Sequence, residues 1–222
     1  MPNRIKIIIL SFGICALSAC KDEPIDAAFE QGLASELNEL IYTTTNDRTT
    51  SSTNDRTTSS VNVNQCTITI KLDFHKDCSQ WGDLAKNIPT STTRVISMKD
   101  IQSIRYFQKP NDPSRSSYFF DYKSTVVQHN KDAREIQRRK QQGEPKVLVT
   151  NDGVKLHLNH DSFKAAEYLF SKGVNSYEMI GHCSTIGSYV IFPYDMRVPV
   201  RTPQPKVIKN KIDRYQEYCS SE

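Results

Sequence analysis

PKVLVTNDGVKLHLN, residues Pro145 to Asn159, consists of two alternating runs joined at Asn151-Asp152-Gly153. Alternation is the mark of a strand with one buried face, and a glycine able to take positive φ suits a tight turn, so the stretch predicts a β-hairpin. HDSFKAAEYLFSKG follows at once and predicts a helix. Asp161 or Ser162 can cap it, Phe163, Ala166 and Phe170 share a stripe with Leu169, and Gly173 ends it. A hairpin feeding a helix, rather than a strand alternating regularly with a helix, favours an α+β domain with a mostly antiparallel sheet.

The same grouping recurs on both sides. QCTITIKLDF alternates Ile68, Ile70 and Leu72 with Thr67, Thr69 and Lys71 and reads as a strand. TTRVISM and IQSIRYFQ are further strands, and KPNDPSRS is a turn-rich loop between IQSIRYFQ and SYFFDYKS, which makes a second hairpin. NKDAREIQRRKQQG predicts a helix with Asn130 or Asp132 near its cap and Gly143 beyond it. SYEMIGHC and GSYVIFPY read as strands, and the proline-punctuated RVPVRTPQP leads into a terminal helix, VIKNKIDRYQEYC. Residues 65–222 are therefore expected to form a single α+β domain with two or three helices.

Two different segments precede it. IDAAFEQGLASELNELIY places Ile25, Phe29, Leu33, Leu37 and Leu40-Ile41 three or four residues apart, an amphipathic helix interrupted by Gly32. Its stripe either docks on the protein's own core or meets a partner. TNDRTTSS then occurs twice in tandem, at 45–52 and 53–60, with no apolar side chain to anchor a core. Residues 43–64 are expected to be a disordered linker, about 22 residues with an end-to-end distance of roughly 25 Å.

The first nineteen residues carry Arg4 and Lys6, an apolar run from Ile7 to Leu17, and small residues before Cys20. This is the order of a secretory signal, with an apolar run too short to span a membrane comfortably. LSAC, Leu17 to Cys20, resembles the bacterial lipobox. The resemblance implies cleavage after Ala19 and lipidation of Cys20, acyl chains then holding the protein at a membrane, with roughly 0.8 kcal/mol for each buried methylene. Lys21, where an inner-membrane lipoprotein has Asp, implies the outer membrane, facing the periplasm. Loss of Arg4 and Lys6 lowers the formal charge from +4 to +2, which with export argues against a nucleic-acid partner. Four cysteines remain, Cys66, Cys78, Cys183 and Cys219, and in an oxidising compartment they predict two disulfides. Proximity in sequence favours Cys66–Cys78 and Cys183–Cys219 among the three connectivities.

Catalytic signatures are sparse. His157 and His160 lie at an element boundary with no second ligand cluster nearby in sequence, and His182 and Cys183, adjacent on a strand, point to opposite faces. GHCSTIGSY lacks the Gly-x-Ser-x-Gly elbow, and no phosphate loop or dinucleotide fingerprint occurs, so no cofactor, metal or catalytic residue is expected. Two features suit binding. Tyr118, Phe120 and Tyr122 share one face of a strand, either as core or as an aromatic row at a protein interface. Arg134, Arg138, Arg139 and Lys140 give one helix a basic character, either simply solvated or directed at an acidic partner or anionic lipid.

In general architecture, by its lipobox, its mature size and an α+β domain without catalytic signature, the chain resembles the periplasmic immunity lipoproteins that accompany type VI secretion effectors, especially phospholipases. The resemblance implies a non-enzymatic inhibitor whose partner is a toxic effector enzyme; it carries over no interface residue. The alternatives are an assembly lipoprotein of an envelope or secretion machine, and a lipid- or glycan-binding lipoprotein.

Overall fold

Alternating and amphipathic stretches take up the expected forms in a computed structural model that describes residues 25–46, 56–75, 78, 89–109, 112–139, 143–150, 153–183, 188–193, 195–200 and 205–221. In chain order these build α1 (Ala27–Asn46), β1 (Arg56–Asn64), β2 (Thr67–His75), β3 (Pro89–Ser97), a 3-10 turn (Met98–Asp100), β4 (Ile101–Lys109), β5 (Asp112–Tyr122), α2 (Ser124–Arg138), β6 (Lys146–Val149), β7 (Lys155–Leu158), α3 (His160–Ser171), β8 (Tyr177–His182), β9 (Tyr189–Ile191), β10 (Asp195–Val200) and α4 (Pro205–Ser221). The strands form a five-stranded sheet ordered β1-β2-β3-β8-β9, a three-stranded sheet ordered β10-β5-β4 and the β6-β7 hairpin. Every strand pair is antiparallel, so the molecule belongs to the α+β class.

Period-two side chains fill the core from the sheets: Ile68 and Ile70 from β2, Ile96 from β3, Tyr118, Phe120 and Tyr122 from β5, Met196, Val198 and Val200 from β10. Against them lie Phe29, Leu33, Leu37, Leu40 and Ile41 of α1, all buried in the same cluster. The helix starts because Asp26 Oδ1 accepts from the N–H groups of Ala28 and Phe29, at 2.9 and 3.0 Å. Its stripe docks on the protein's own core, and α1 packs along β1 and reaches β10 and α4.

That docking revises the expected linker. α1 continues to Asn46, and Arg56–Asn64, which includes RTTSS of the second repeat copy, is a strand paired residue for residue with β2. Val61 and Val63 give its end an apolar face, and a polar Thr/Ser run is tolerated because β1 is an edge strand. Only residues 47–55 of the proposed linker lie outside the described residues, as do the leader and Cys20.

Disulfide connectivity is also corrected: Cys66 pairs with Cys219 and Cys78 with Cys183, at Cα separations of 5.5 and 5.4 Å. Spacing misled because the β1–β2 turn meets the end of α4, across a sequence separation of 153 residues. This corner is heavily determined. Asn64 faces Thr67, so Gln65 and Cys66 form a two-residue loop, and both take positive φ, 47° and 61°, without being glycine. Such a conformation costs on the order of 1–3 kcal/mol per residue. The Tyr215 hydroxyl accepts from Cys66 N (2.9 Å) and donates to Glu30 Oε1 (2.6 Å), and Cys66 O accepts from Met98 N (2.8 Å). One buried tyrosine thereby ties α4 to α1 and to the strained turn.

Three boundaries differ from expectation. The cap of α3 is Asn159, whose side chain accepts from Ser162 N at 2.8 Å, while Ser162 is buried and its hydroxyl receives the N–H of Val190 and an amide of Gln137. α2 begins at Ser124, six residues before the expected Asn130 cap, despite the β-branched Thr125, Val126 and Val127. Tertiary burial of Val126 overrides weak helix propensity there. β10 was hidden by Pro199 and the prolines that follow it; Pro199 is tolerated because β10 is an edge strand.

Candidate interaction surface

Alternation along β5 divides its aromatic residues. Tyr118, Phe120 and Tyr122 are 0%, 2% and 4% exposed, so the expected aromatic row is core and offers nothing to a partner. Phe119 faces the other way. The register places Arg105 of β4 and Arg197 of β10 on either side of it, one in each neighbouring strand. Their guanidinium carbons lie 5.4 and 5.7 Å from the ring centroid, within cation–π range.

Neighbouring groups hold both arginines in place. Arg105 makes a bidentate pair with Asp121, Nε–Oδ2 2.6 Å and Nη2–Oδ1 2.7 Å, and Ser103 Oγ donates to the same carboxylate at 3.0 Å. These hydrogen bonds, Arg105's foremost, hold the Asp121 carboxyl below its ordinary range. Arg197 Nε donates to Ser117 Oγ at 3.0 Å. Phe107, two residues along β4 and on the same face, is 54% exposed. The result is an aromatic ring clamped between two cations, with a second ring in water beside it, on a sheet whose opposite face is solid core.

The basic residues of α2 separate. Arg134 Nε donates to Phe192 O at 2.7 Å, while Asn130 and Gln137 donate to Pro193 O and Val190 O, both also at 2.7 Å. One side of the helix thus satisfies three carbonyls of β9 and the two residues after it, and Arg134 serves there as a clamp. Arg138 is exposed and paired with Glu135 at 2.5 Å, Arg139 is exposed at the helix end, and Lys140 lies outside the described residues. Arg138 and Arg139 belong to a different element from the Phe119 face. His157 is exposed on β7, His160 opens α3, and among the described residues no three His, Cys, Asp or Glu side chains gather into a metal-binding group.

Sequence reasoning missed Arg105, Phe107, Phe119 and Arg197. The i, i+2 spacing of Arg105 and Phe107 was a usable signal for a shared face, but Arg197 could be added only once β10 was recognised as a strand beside β5. No family model, characterised protein or solved structure matches this chain.

Proposed function

We propose that this protein is a membrane-tethered periplasmic inhibitor, held by lipid on Cys20 of the LSAC motif, that neutralises a toxic effector enzyme such as a phospholipase by binding it through the β4-β5-β10 face. The observation that carries the reading is Phe119 clamped between Arg105 and Arg197 beside exposed Phe107. Aromatic and arginine side chains dominate the energetics of protein interfaces. Here Phe119, Arg105 and Arg197 are held by their neighbours, which reduces the ordering cost of binding. An inhibitor needs complementarity and no chemistry of its own. Two disulfides support a location in an oxidising compartment.

The test is a pull-down with tagged residues 21–222 exported to the periplasm of the native organism, paired with the variant Phe107→Ala/Arg197→Ala. The expected result is one stoichiometric hydrolase whose activity falls on addition of the protein, with capture by the variant at least about 30-fold weaker, as removal of an interface hot spot implies. Recovery of a set of envelope-machine subunits, or equal capture by the variant, overturns it. Lipidation is checked separately: palmitate should label the chain and globomycin should block its processing, and failure of both removes the tether.

A further inference from the structure

The five-stranded sheet has one face in the core and one that is only partly covered. On the partly covered face the register aligns Asn64, Thr67 and Ser97 in one row across β1, β2 and β3, and Asn62, Thr69, Val95 and Tyr177 in the next, which runs on into β8. Side chains from β1 and β2 are polar, β3 carries both kinds in Thr93, Val95 and Ser97, and Tyr177 and Met179 of β8 add apolar surface. The β6-β7 hairpin, with Val154 and Leu156, and Phe170 of α3 close the apolar side. Between them runs a cleft of about 530 Å³, a size ordinary for a small-molecule site.

We propose that this cleft is a binding site for a neutral oligosaccharide. Its two walls match the two kinds of surface on a sugar. Asn62, Asn64, Thr67, Thr69 and Thr93 offer amides and hydroxyls, groups that both donate and accept and so can meet hydroxyls in either sense. Val95, Met179 and Phe170 offer an apolar wall to the C–H face of the ring, and Phe170 is braced by Tyr177 at 5.8 Å in an edge-on contact.

Other occupants fit worse. Lys99 supplies the only charge among the described lining residues, too little to hold a polyanion. An acyl chain would desolvate the threonine and asparagine wall without replacing its hydrogen bonds. A peptide adding as a strand could pair only with the outer edge of β1 and would not fill the cleft, over whose floor the β2 and β3 backbones are paired on both sides. The site is in a different sheet from the effector-binding face, so it stands or falls independently of that reading.

The experiment uses disulfide-bonded residues 21–222 and follows backbone amide resonances during titration with chitotriose, with maltotriose and with dodecanoate. The expected result is saturable shifts at Thr69, Thr93 and Phe170 with one of the sugars, with Kd on the order of 1 mM or tighter. The near-isosteric variant Thr69→Val/Thr93→Val, checked for an unchanged circular dichroism spectrum, should bind about tenfold more weakly. If that pair fails to fold, Asn62→Ala on the edge strand serves instead and should also weaken binding. Absence of shifts with both sugars, shifts confined to the Phe107 and Phe119 face, unaltered binding by the variants, or saturation of the cleft by dodecanoate alone would each overturn the proposal.

Discussion

Two aspartates show how the surroundings of a residue decide the sign of its contribution. Asp100 is buried, and its Oδ2 accepts from Ser176 Oγ at 2.8 Å and Asn175 N at 3.0 Å. Loss of water dominates those hydrogen bonds and raises its carboxyl above the ordinary 3.8. The folded state then holds the proton more tightly than the unfolded chain, so this group makes stability fall as pH rises from 3.8 through the folded value. Asp121 is the reverse. Arg105 lowers its carboxyl, so its contribution is present above the unfolded value and is lost as pH falls through the folded one. With the Arg105 side chain 62% exposed, solvent screening keeps that contribution to about 1 kcal/mol or less. Denaturant midpoints measured across acidic pH should show Asp100→Asn removing a downward slope and Asp121→Asn removing an upward one; equal slopes in the two variants would contradict both assignments. Neither environment could be read locally. Asp100 lies between TTRVISM and IQSIRYFQ with nothing local to mark its burial, and the groups that hydrogen-bond it come from Asn175 and Ser176, 75 and 76 residues away.

At the scale of elements, what was legible depended on whether the deciding contact was local. The hairpin formed as read, with Val149 paired to Lys155, Gly153 at φ 82° and Thr150 O accepting from Gly153 N at 2.9 Å, while Asn151 and Asp152 lie outside the described residues; its strands are adjacent in sequence, so the pairing is local. α1 was legible from its stripe alone. By contrast β1 needed the edge of β2, α2 needed carbonyls after β8, and the Cys66–Cys219 bridge needed the end of α4, all supplied by remote chain. This division sets expectations for stability. Cys66→Ser/Cys219→Ser should cost roughly 2–5 kcal/mol, since the bridge closes a long loop and also holds two residues in a left-handed conformation. Leu33→Ala, at a side chain 1% exposed, should cost about 2–5 kcal/mol in the unlipidated protein without any partner present. Denaturant unfolding measures both. A negligible loss at Leu33 would mean that α1 does not belong to the cooperative unit and would restore the reading of a helix reserved for a partner.

For the whole molecule, docking of α1 changes where the proposed tether would lie. A helix standing off the domain would put residues 43–64 between the lipid and the fold, a reach of roughly 25 Å. With α1 packed along β1, the elements on either side of residues 47–55 pack together, and that segment would add nothing to the reach of the proposed lipid anchor. The proposed lipid on Cys20 would then be separated from Ile25 by four residues, at most about 18 Å of extended chain. The end of the molecule nearest the bilayer would be the start of α1 with its neighbours Gln65, Lys99 and Tyr218, which line one hollow beside it. On the proposed function, so short a lead would keep the inhibitor at the immediate membrane surface, where a phospholipase would act. The same eight residues placed at two positions test this. TNDRTTSS inserted after Lys21 adds up to about 26–29 Å of reach, whereas a third copy inserted after Ser52 should add none. Energy transfer to a dansyl lipid, in vesicles carrying the lipidated protein, from a tryptophan placed beside the start of α1 (Tyr218→Trp in a Trp81→Phe background) reads the separation. Transfer should fall only for the insertion after Lys21; an equal fall for the third repeat would mean that α1 leaves the core at the membrane, and no transfer without either insertion would remove the lipid anchor itself.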